Sequence, residues 1–142
     1  MPDASNSVTI NRPAPDVFAF VADGENSSKW RSGVLDIQRV SGHGAGAVYR
    51  QGVSGPGGRR IAADYEVTAY EPDTLLAFRT TAGPVRPTGE FRLREAAGAT
   101  TLTFSLRADL TGLKKLFMAG MVQKTMDSEV AAIEKLKRIL EP

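Results

Sequence analysis

The feature that most constrains the fold of this 142-residue chain is a strand-rich middle between a short N-terminal helix and a long C-terminal one. Residues 8–10 predict a first strand, and the apolar run 17–22 predicts a helix that begins near Pro13 and stops at Asp23 and Gly24. Residues 26–30 predict a second short helical turn, and residues 112–140 predict the long terminal helix. An antiparallel sheet covered by one long helix can enclose a cavity, so this layout suggests a pocket for a small molecule.

Period-two alternation predicts six further strands, over residues 34–40, 48–53, 60–70, 75–81, 88–95 and 100–110, with glycine-rich turns between several of them. In the last two strands apolar residues alternate with charged or hydroxyl residues, which predicts one buried and one solvated face. The terminal helix carries an apolar stripe that would cover the buried face. We therefore expect an α+β fold with a seven-stranded curved antiparallel sheet, in which the helix residues Met126, Val130, Ile133 and Leu136 pack against Phe91, Leu93, Leu102 and Phe104.

Composition excludes several classes of protein. Hydrophobic residues make up 42% of the chain and charged residues 24%, which is typical of a globular protein, and we interpret residues 1–142 as a single domain. No apolar run is long enough for a membrane span, and the first residues do not resemble a secretory signal, so we expect a cytoplasmic protein. The absence of cysteine excludes disulfides and thiolate metal sites. The net charge of +2 is spread among alternating signs, which argues against nucleic-acid binding.

Motifs along nearly the whole chain carry a family resemblance. They are INRP at residues 10–13, Trp30, GAGAVYR at 44–50, VTAYEP at 67–72 and ATTLT at 99–103. With these motifs the chain resembles the START-like or SRPBCC superfamily, in particular its bacterial polyketide cyclase/dehydrase branch. The resemblance implies the helix-grip fold, with a deep cavity between the sheet and the terminal helix that opens near the glycine loops. The motifs consist of turn and packing residues, so they specify a fold and not a chemistry.

Six residues are candidates for contact with a ligand. The apolar arc of the terminal helix widens before Gly120, so we expect the cavity to lie under this front half, with the turn at residues 42–46 near its mouth. Tyr65 shares the strand phase of Val67 and should point inward. Arg79 lies on a strand that is apolar on both phases, and turned inward it would need an anionic ligand or a carboxylate partner. The candidates are Trp30, Tyr65, Phe78, Arg79, Phe117 and Met121. Trp30 either lines the cavity or seals the core.

Residues suited to acid–base chemistry are few. His43 is the only histidine, and it lies in a Gly-His-Gly turn where we expect it to be exposed and remote from the cavity. Asp64 and Glu66 lie on the phase opposite to Tyr65, which predicts a solvated face. The glycine runs do not match phosphate-binding loops. We expect no metal and no cofactor, and the residues identify no catalytic set.

Three functions remain open. The first is binding of a hydrophobic molecule, lipid-like or polycyclic, in the cavity. The second is a polyketide cyclase/dehydrase-type enzyme that orients its substrate through Trp30, Tyr65 or Arg79. The third is a lipid or quinone chaperone, or another interaction module, that docks on a membrane or partner through the apolar residues Leu113, Phe117 and Met121 beside the basic pair Lys114 and Lys115. The same apolar surface also suits a homodimer contact or a lid over the pocket.

Overall fold

The computed structural model describes residues 2–142, without the side chains of residues 113, 114 and 116. The strands are β1 (Asp3–Ile10), β2 (Val34–Ser41), β3 (Val48–Ser54), β4 (Arg60–Ala62), β5 (Tyr65–Glu71), β6 (Leu75–Thr80), β7 (Thr88–Ala96) and β8 (Ala99–Arg107). The helices are α1 (Ala14–Ala22), α2 (Ser27–Trp30), α3 (Gly112–Ala131) and α4 (Ile133–Leu140). This order confirms the predicted α+β architecture.

The strands form one antiparallel sheet in the order β1-β8-β7-β6-β5-β3-β2, and β4 pairs with β3 beside this path. The sheet thus has eight strands instead of the predicted seven, because the strand expected over residues 60–70 is divided into β4 and β5. At the division the carboxylate of Asp64 accepts the backbone N–H of Gln51 at 3.1 Å. In a continuous strand this N–H would bond to a backbone carbonyl, and here the side chain of Asp64 replaces that carbonyl. The alternating pattern of the sequence does not show such a replacement, so the break between β4 and β5 was not predicted.

The first strand is longer than predicted. It pairs with β8 from Asp3 to Ile10, whereas the apolar pattern indicated residues 8–10 alone. Small hydroxyl residues occupy the outer face of its N-terminal half and pair across the strands, with Ser5 Oγ 3.0 Å from Ser105 Oγ and Ser7 Oγ 2.7 Å from Thr103 Oγ1. Serine has little strand propensity of its own, so hydrogen bonding to β8 determines this part of the strand.

The predicted core is confirmed. The eight residues that were expected to pack together belong to one buried cluster, with Leu102, Ile133 and Leu136 at 0% exposure. Phe91 and Phe104 are direct partners across β7 and β8, and their rings stack at 4.3 Å. Burying each such large apolar side chain contributes about 1.5–3 kcal/mol.

The terminal helix is divided where a single run over residues 112–140 was predicted. The N–H of Ala132 bonds to the carbonyl of Glu129, three residues back, at 3.1 Å. This tighter turn separates α3 from α4. Hydrogen bonds then hold α4 to the end of β1 and to the segment after it: Lys137 Nζ donates to the Thr9 carbonyl at 2.6 Å, and Arg12 Nη1 donates to the Leu140 carbonyl at 3.1 Å. The C-terminal part of the helix is therefore fixed against the sheet.

Candidate functional site

A cavity of about 420 Å³ lies between the inner face of the sheet and α3. Strands β3 to β8 form its floor, the C-terminal end of α1 and α2 close one side, and α3 covers it. The part of α3 that faces the cavity presents Met118, Met121, Val122, Thr125, Met126 and Glu129. The lining is mostly apolar, and this follows from the inward phase of the strands.

Four of the six candidate residues line this cavity: Trp30, Tyr65, Phe78 and Met121. Trp30 is 3% exposed, and its ring meets those of Phe91 and Phe104 edge-on at 6.1 and 6.0 Å. Trp30 therefore serves both of the uses weighed above, because it belongs to the buried core and also lines the cavity. Tyr65 lines the cavity together with Val67, as their shared strand phase predicted.

Arg79 does not line the cavity, although it was expected to. Its neighbour Phe78 takes the inward phase of β6, so Arg79 points to the outer face, where its side chain is 58% exposed. There Arg79 Nε donates to Glu66 Oε1 at 2.9 Å, across a direct strand pair. Because β6 is apolar on both faces, its sequence pattern did not indicate which residues point inward. In the structure the bulky aromatic Phe78 takes the inward position.

Phe117 was also expected in the cavity, but it is 73% exposed and does not line it. The buried stripe of α3, which includes Val122 and Met126, continues toward the N-terminus through Met118. Phe117 lies one residue, about 100°, off that stripe. Met121 is 56% exposed and lies at the rim of the cavity. The side chains of Leu113 and Lys114, named above in the docking hypothesis, lie outside the described residues.

The glycine turn that was expected near the mouth is not part of the cavity wall. The turn at residues 42–46 does not contribute to the lining, whereas Pro56 and the segment with Pro84, Val85 and Pro87 do. His43 is exposed in its turn, as predicted, and its Nδ1 lies 2.9 Å from Arg39 Nη1. Asp64, expected in solvent, is half-buried because it receives the Gln51 N–H described above. Among residues 2–142 as described, no three acidic or histidine side chains are grouped to hold a metal ion.

Two stacked tyrosines form one wall of the cavity. The rings of Tyr49 and Tyr65 lie 4.9 Å apart with an interplanar angle of 11°, and Tyr49 Oη accepts the N–H of Gly24 at 3.2 Å. Both rings press on Gly24, where an added Cβ would lie 2.3 Å from Tyr65 Oη. Burial raises the pKa of the Tyr65 phenol well above its usual value, so the hydroxyl stays protonated at neutral pH. Tyr65 Oη has no hydrogen-bond partner among the described residues, so it is free to donate to a ligand.

A polar cluster that was not predicted from the sequence continues this wall. Arg31 Nε donates to Glu129 Oε2 at 2.7 Å, and Arg31 Nη1 donates to Gln51 Oε1 at 2.9 Å. The side chains of Arg31 and Glu129 are only 16% and 20% exposed. Two signals were available. Gln51 shares the inward strand phase of Tyr49, and Glu129 lies four residues after Thr125, on the face of α3 that meets the cavity. A polar residue on an apolar phase is informative because it must find a buried partner.

Three solved structures that share this fold match most of the length of this chain. A protein of Thermus thermophilus has a TM-score of 0.82 at 18% identity, covering 98% of this chain and 97% of its own. A START superfamily protein from Mycobacterium smegmatis has a TM-score of 0.76 at 16% identity, covering 98% and 97%. The di-domain ARO/CYC BexL from the BE-7585A biosynthetic pathway has a TM-score of 0.72 at 16% identity, covering 93% of this chain and 45% of BexL. At these identities the likeness establishes the helix-grip fold.

Sequence comparison gives the family. Residues 1–141 match the model of a family described as polyketide cyclase / dehydrase and lipid transport. No curated protein matches this chain in sequence. The resemblance inferred from the turn and packing motifs is thus confirmed. No helix among the described residues is both long and apolar enough to cross a membrane.

Proposed function

Because the chain belongs to the polyketide cyclase / dehydrase and lipid transport family, we propose that it binds a hydrophobic small molecule, lipid-like or polycyclic, in the cavity under α3. The observation that carries this proposal is the cavity itself, about 420 Å³ with a mostly apolar lining. Small-molecule sites commonly have volumes of about 300–1,000 Å³, with apolar walls and a few polar groups. The size and character of this cavity fit that description.

The lining supports an adaptable ligand contact. Met118, Met121 and Met126 face the cavity from α3, opposite the aromatic rings of Tyr65 and Phe78. Methionine side chains are flexible and polarisable, so this wall can adjust to ligands of different shape. The aromatic rings offer flat, rigid surfaces for a polycyclic or polyene molecule. Trp30, Tyr65, Phe78 and Met121 are accordingly the proposed ligand contacts.

A homologous series of neutral alkyl methyl esters tests the proposal. Each added methylene that leaves water contributes about 0.8 kcal/mol, about fourfold in affinity. Affinity should therefore rise with chain length and level off where the cavity is full. Displacement of the neutral fluorescent dye N-phenylnaphthylamine measures each affinity. No binding at any chain length, or a rise without a plateau, would contradict a closed apolar site.

A matched pair of variants locates the binding. Met121→Trp places a larger ring at the rim of the cavity, and Phe117→Trp makes the same kind of change one helical turn earlier, outside the lining. Both positions are exposed, so neither change should reduce stability by more than about 0.5 kcal/mol. Only Met121→Trp should weaken binding of the esters. Equal effects of the two variants would place the ligand on the outer surface of α3.

The second candidate function is a cyclase/dehydrase-type enzyme, which the family description and the protonated Tyr65 hydroxyl in the cavity favour. Such an enzyme would hold a poly-β-ketone chain in a reactive shape, and orientation alone can remove several kcal/mol from a barrier. The test compares the products formed from a poly-β-ketone substrate with wild type, with Tyr65→Phe and without protein. An unchanged product distribution in all three reactions would exclude it.

A further inference from the structure

We propose that the ion pair Arg31–Glu129 makes this cavity select neutral ligands that carry a hydroxyl or carbonyl oxygen, and reject carboxylates. The inference rests on the proposed function, since it concerns what the same cavity accepts. It identifies the ligand class as an apolar alcohol, ketone or ester. Free fatty acids and other apolar anions are excluded from that class.

The charged groups in the cavity wall form a neutral pair. Among the described residues that line the cavity, Arg31 and Glu129 are the charged ones. Their atoms meet at 2.7 Å through Nε and Oε2 and at 3.3 Å through Nη2 and Oε1, so the carboxylate lies against one edge of the guanidinium. The pair has no net charge. A ligand carboxylate that entered would lose its hydration and would meet the negative charge of Glu129 close to the positive charge of Arg31.

Arg31 and Tyr65 also retain hydrogen-bond donors that a ligand can use. A guanidinium has five N–H donors, and contacts to Glu129 and Gln51 use three of those of Arg31. One N–H on each terminal nitrogen therefore remains. The hydroxyl of Tyr65, protonated and without a partner among the described residues, adds a further donor. A neutral ligand oxygen needs one or two donors and brings no charge, so these groups satisfy it without breaking the ion pair.

These donors lie along one wall of the cavity. Gln51 follows Tyr49 by two residues on the inner face of β3, and Tyr49 stacks on Tyr65. Gln51 is itself fixed, because its Nε2 donates to the Ala63 carbonyl at 3.0 Å and its Oε1 accepts from Arg31. Tyr65, Gln51 and Arg31 therefore form one polar side in a mostly apolar cavity. A ligand with a single oxygen at one end matches this arrangement.

The wild-type protein gives the first test. Dodecanol, methyl dodecanoate and dodecanoate have the same chain and differ in the end group. We expect the alcohol and the ester to displace N-phenylnaphthylamine at concentrations at least about tenfold lower than the carboxylate at neutral pH, which corresponds to about 1.4 kcal/mol. Equal or tighter binding of the carboxylate would overturn the inference while leaving the proposed function intact. Failure of the dye and of all three compounds to bind would instead refute the proposed function.

Glu129→Gln gives the second test. This variant removes the negative charge and leaves that of Arg31 without a counter-ion, so we expect a gain of about tenfold or more in carboxylate affinity. Affinity for the methyl ester should change by less than about threefold. Asp127→Asn is the matched control, because it removes one negative charge from an exposed position on α3 outside the cavity. A pair that served only to hold α3 to α2 would show no gain for the carboxylate, and that result would overturn the inference.

A double variant covers the case in which Glu129→Gln is too unstable to measure. Arg31→Gln with Glu129→Gln removes both charges and leaves amides that can bond to each other and to Gln51. We expect its carboxylate affinity to stay at least as weak as that of wild type. The ester loses the Arg31 donors but keeps that of Tyr65, so it should bind more weakly by less than about tenfold. If the carboxylate bound the double variant better than wild type, the selection against carboxylates would not depend on neutralisation of Arg31 by Glu129.

Discussion

Gly24 is the position where a single added methyl group should disturb the site most. In Gly24→Ala the new Cβ would lie 2.3 Å from Tyr65 Oη, and 2.5 and 2.8 Å from two ring carbons of Tyr49. Tyr49 is 4% exposed and stacked on Tyr65, so the rings can move only by disturbing the core. Overpacking of this kind costs about 1–3 kcal/mol, and displacement of the Gly24 N–H from Tyr49 Oη adds about 1 kcal/mol. We expect a total loss of about 2–4 kcal/mol in the free energy of unfolding.

Urea unfolding measures this effect. With a slope of about 2 kcal/mol per molar, the midpoint should fall by about 1–2 M. Gly120→Ala is the matched control, since a Cβ there meets nothing within 4 Å. Alanine is the better helix former, so this variant should gain about 0.5–1 kcal/mol. The same substitution should thus have opposite signs at the two positions. A Gly24→Ala variant as stable as wild type would refute the described contact between the two phenols and Gly24.

Three other side chains give one prediction each. Tyr65→Phe removes a hydroxyl without a partner among the described residues, so its free energy of unfolding in urea should fall by less than about 0.5 kcal/mol, while calorimetry should show weaker binding of methyl dodecanoate. A fall of several kcal/mol in the free energy of unfolding would reveal a hydrogen-bond partner of the hydroxyl within the protein. Leu136→Ala empties a fully buried position and should cost about 2–5 kcal/mol in the same unfolding assay, and a smaller loss would contradict close packing of α4 on the sheet. The hydrogen bonds from Arg60 lower the pKa of Asp36, so the contribution of Asp36 to stability is present above its unfolded pKa, about 3.9, and is lost as pH falls through the lower folded value. The stability difference between wild type and Asp36→Asn should therefore shrink in acid and in high salt. A difference that grew in acid would contradict this assignment.

Patterns that repeat along the chain predicted most of the fold. The alternation of Phe91 with Leu93 and of Leu102 with Phe104 determined the phase of β7 and β8, and the helical stripe through Met126 and Val130 determined the buried face of the terminal helix. Such periodicities are strong because many residues report the same face. The N-terminal half of β1 was missed because its residues are small and polar and are held by hydrogen bonds to β8.

The site was only partly predictable, and for two physical reasons. Where a segment is apolar on all sides, the pattern gives no phase, so Arg79 and Phe117 were placed inward although Phe78 and Met118 take those positions. The polar cluster has a different cause. Arg31 is 98 residues from Glu129 and 20 residues from Gln51 along the chain, and no local pattern reports a contact over such separations.

A crystal structure of the protein grown with methyl dodecanoate would show whether the cavity holds the ligand. We expect continuous density for the ester between Phe78 and Met118, inside the cavity, with its carbonyl oxygen toward Tyr65 and Arg31. An ester lying outside, against Phe117 on the exposed face of α3, or a cavity that holds only ordered water, would contradict this expectation.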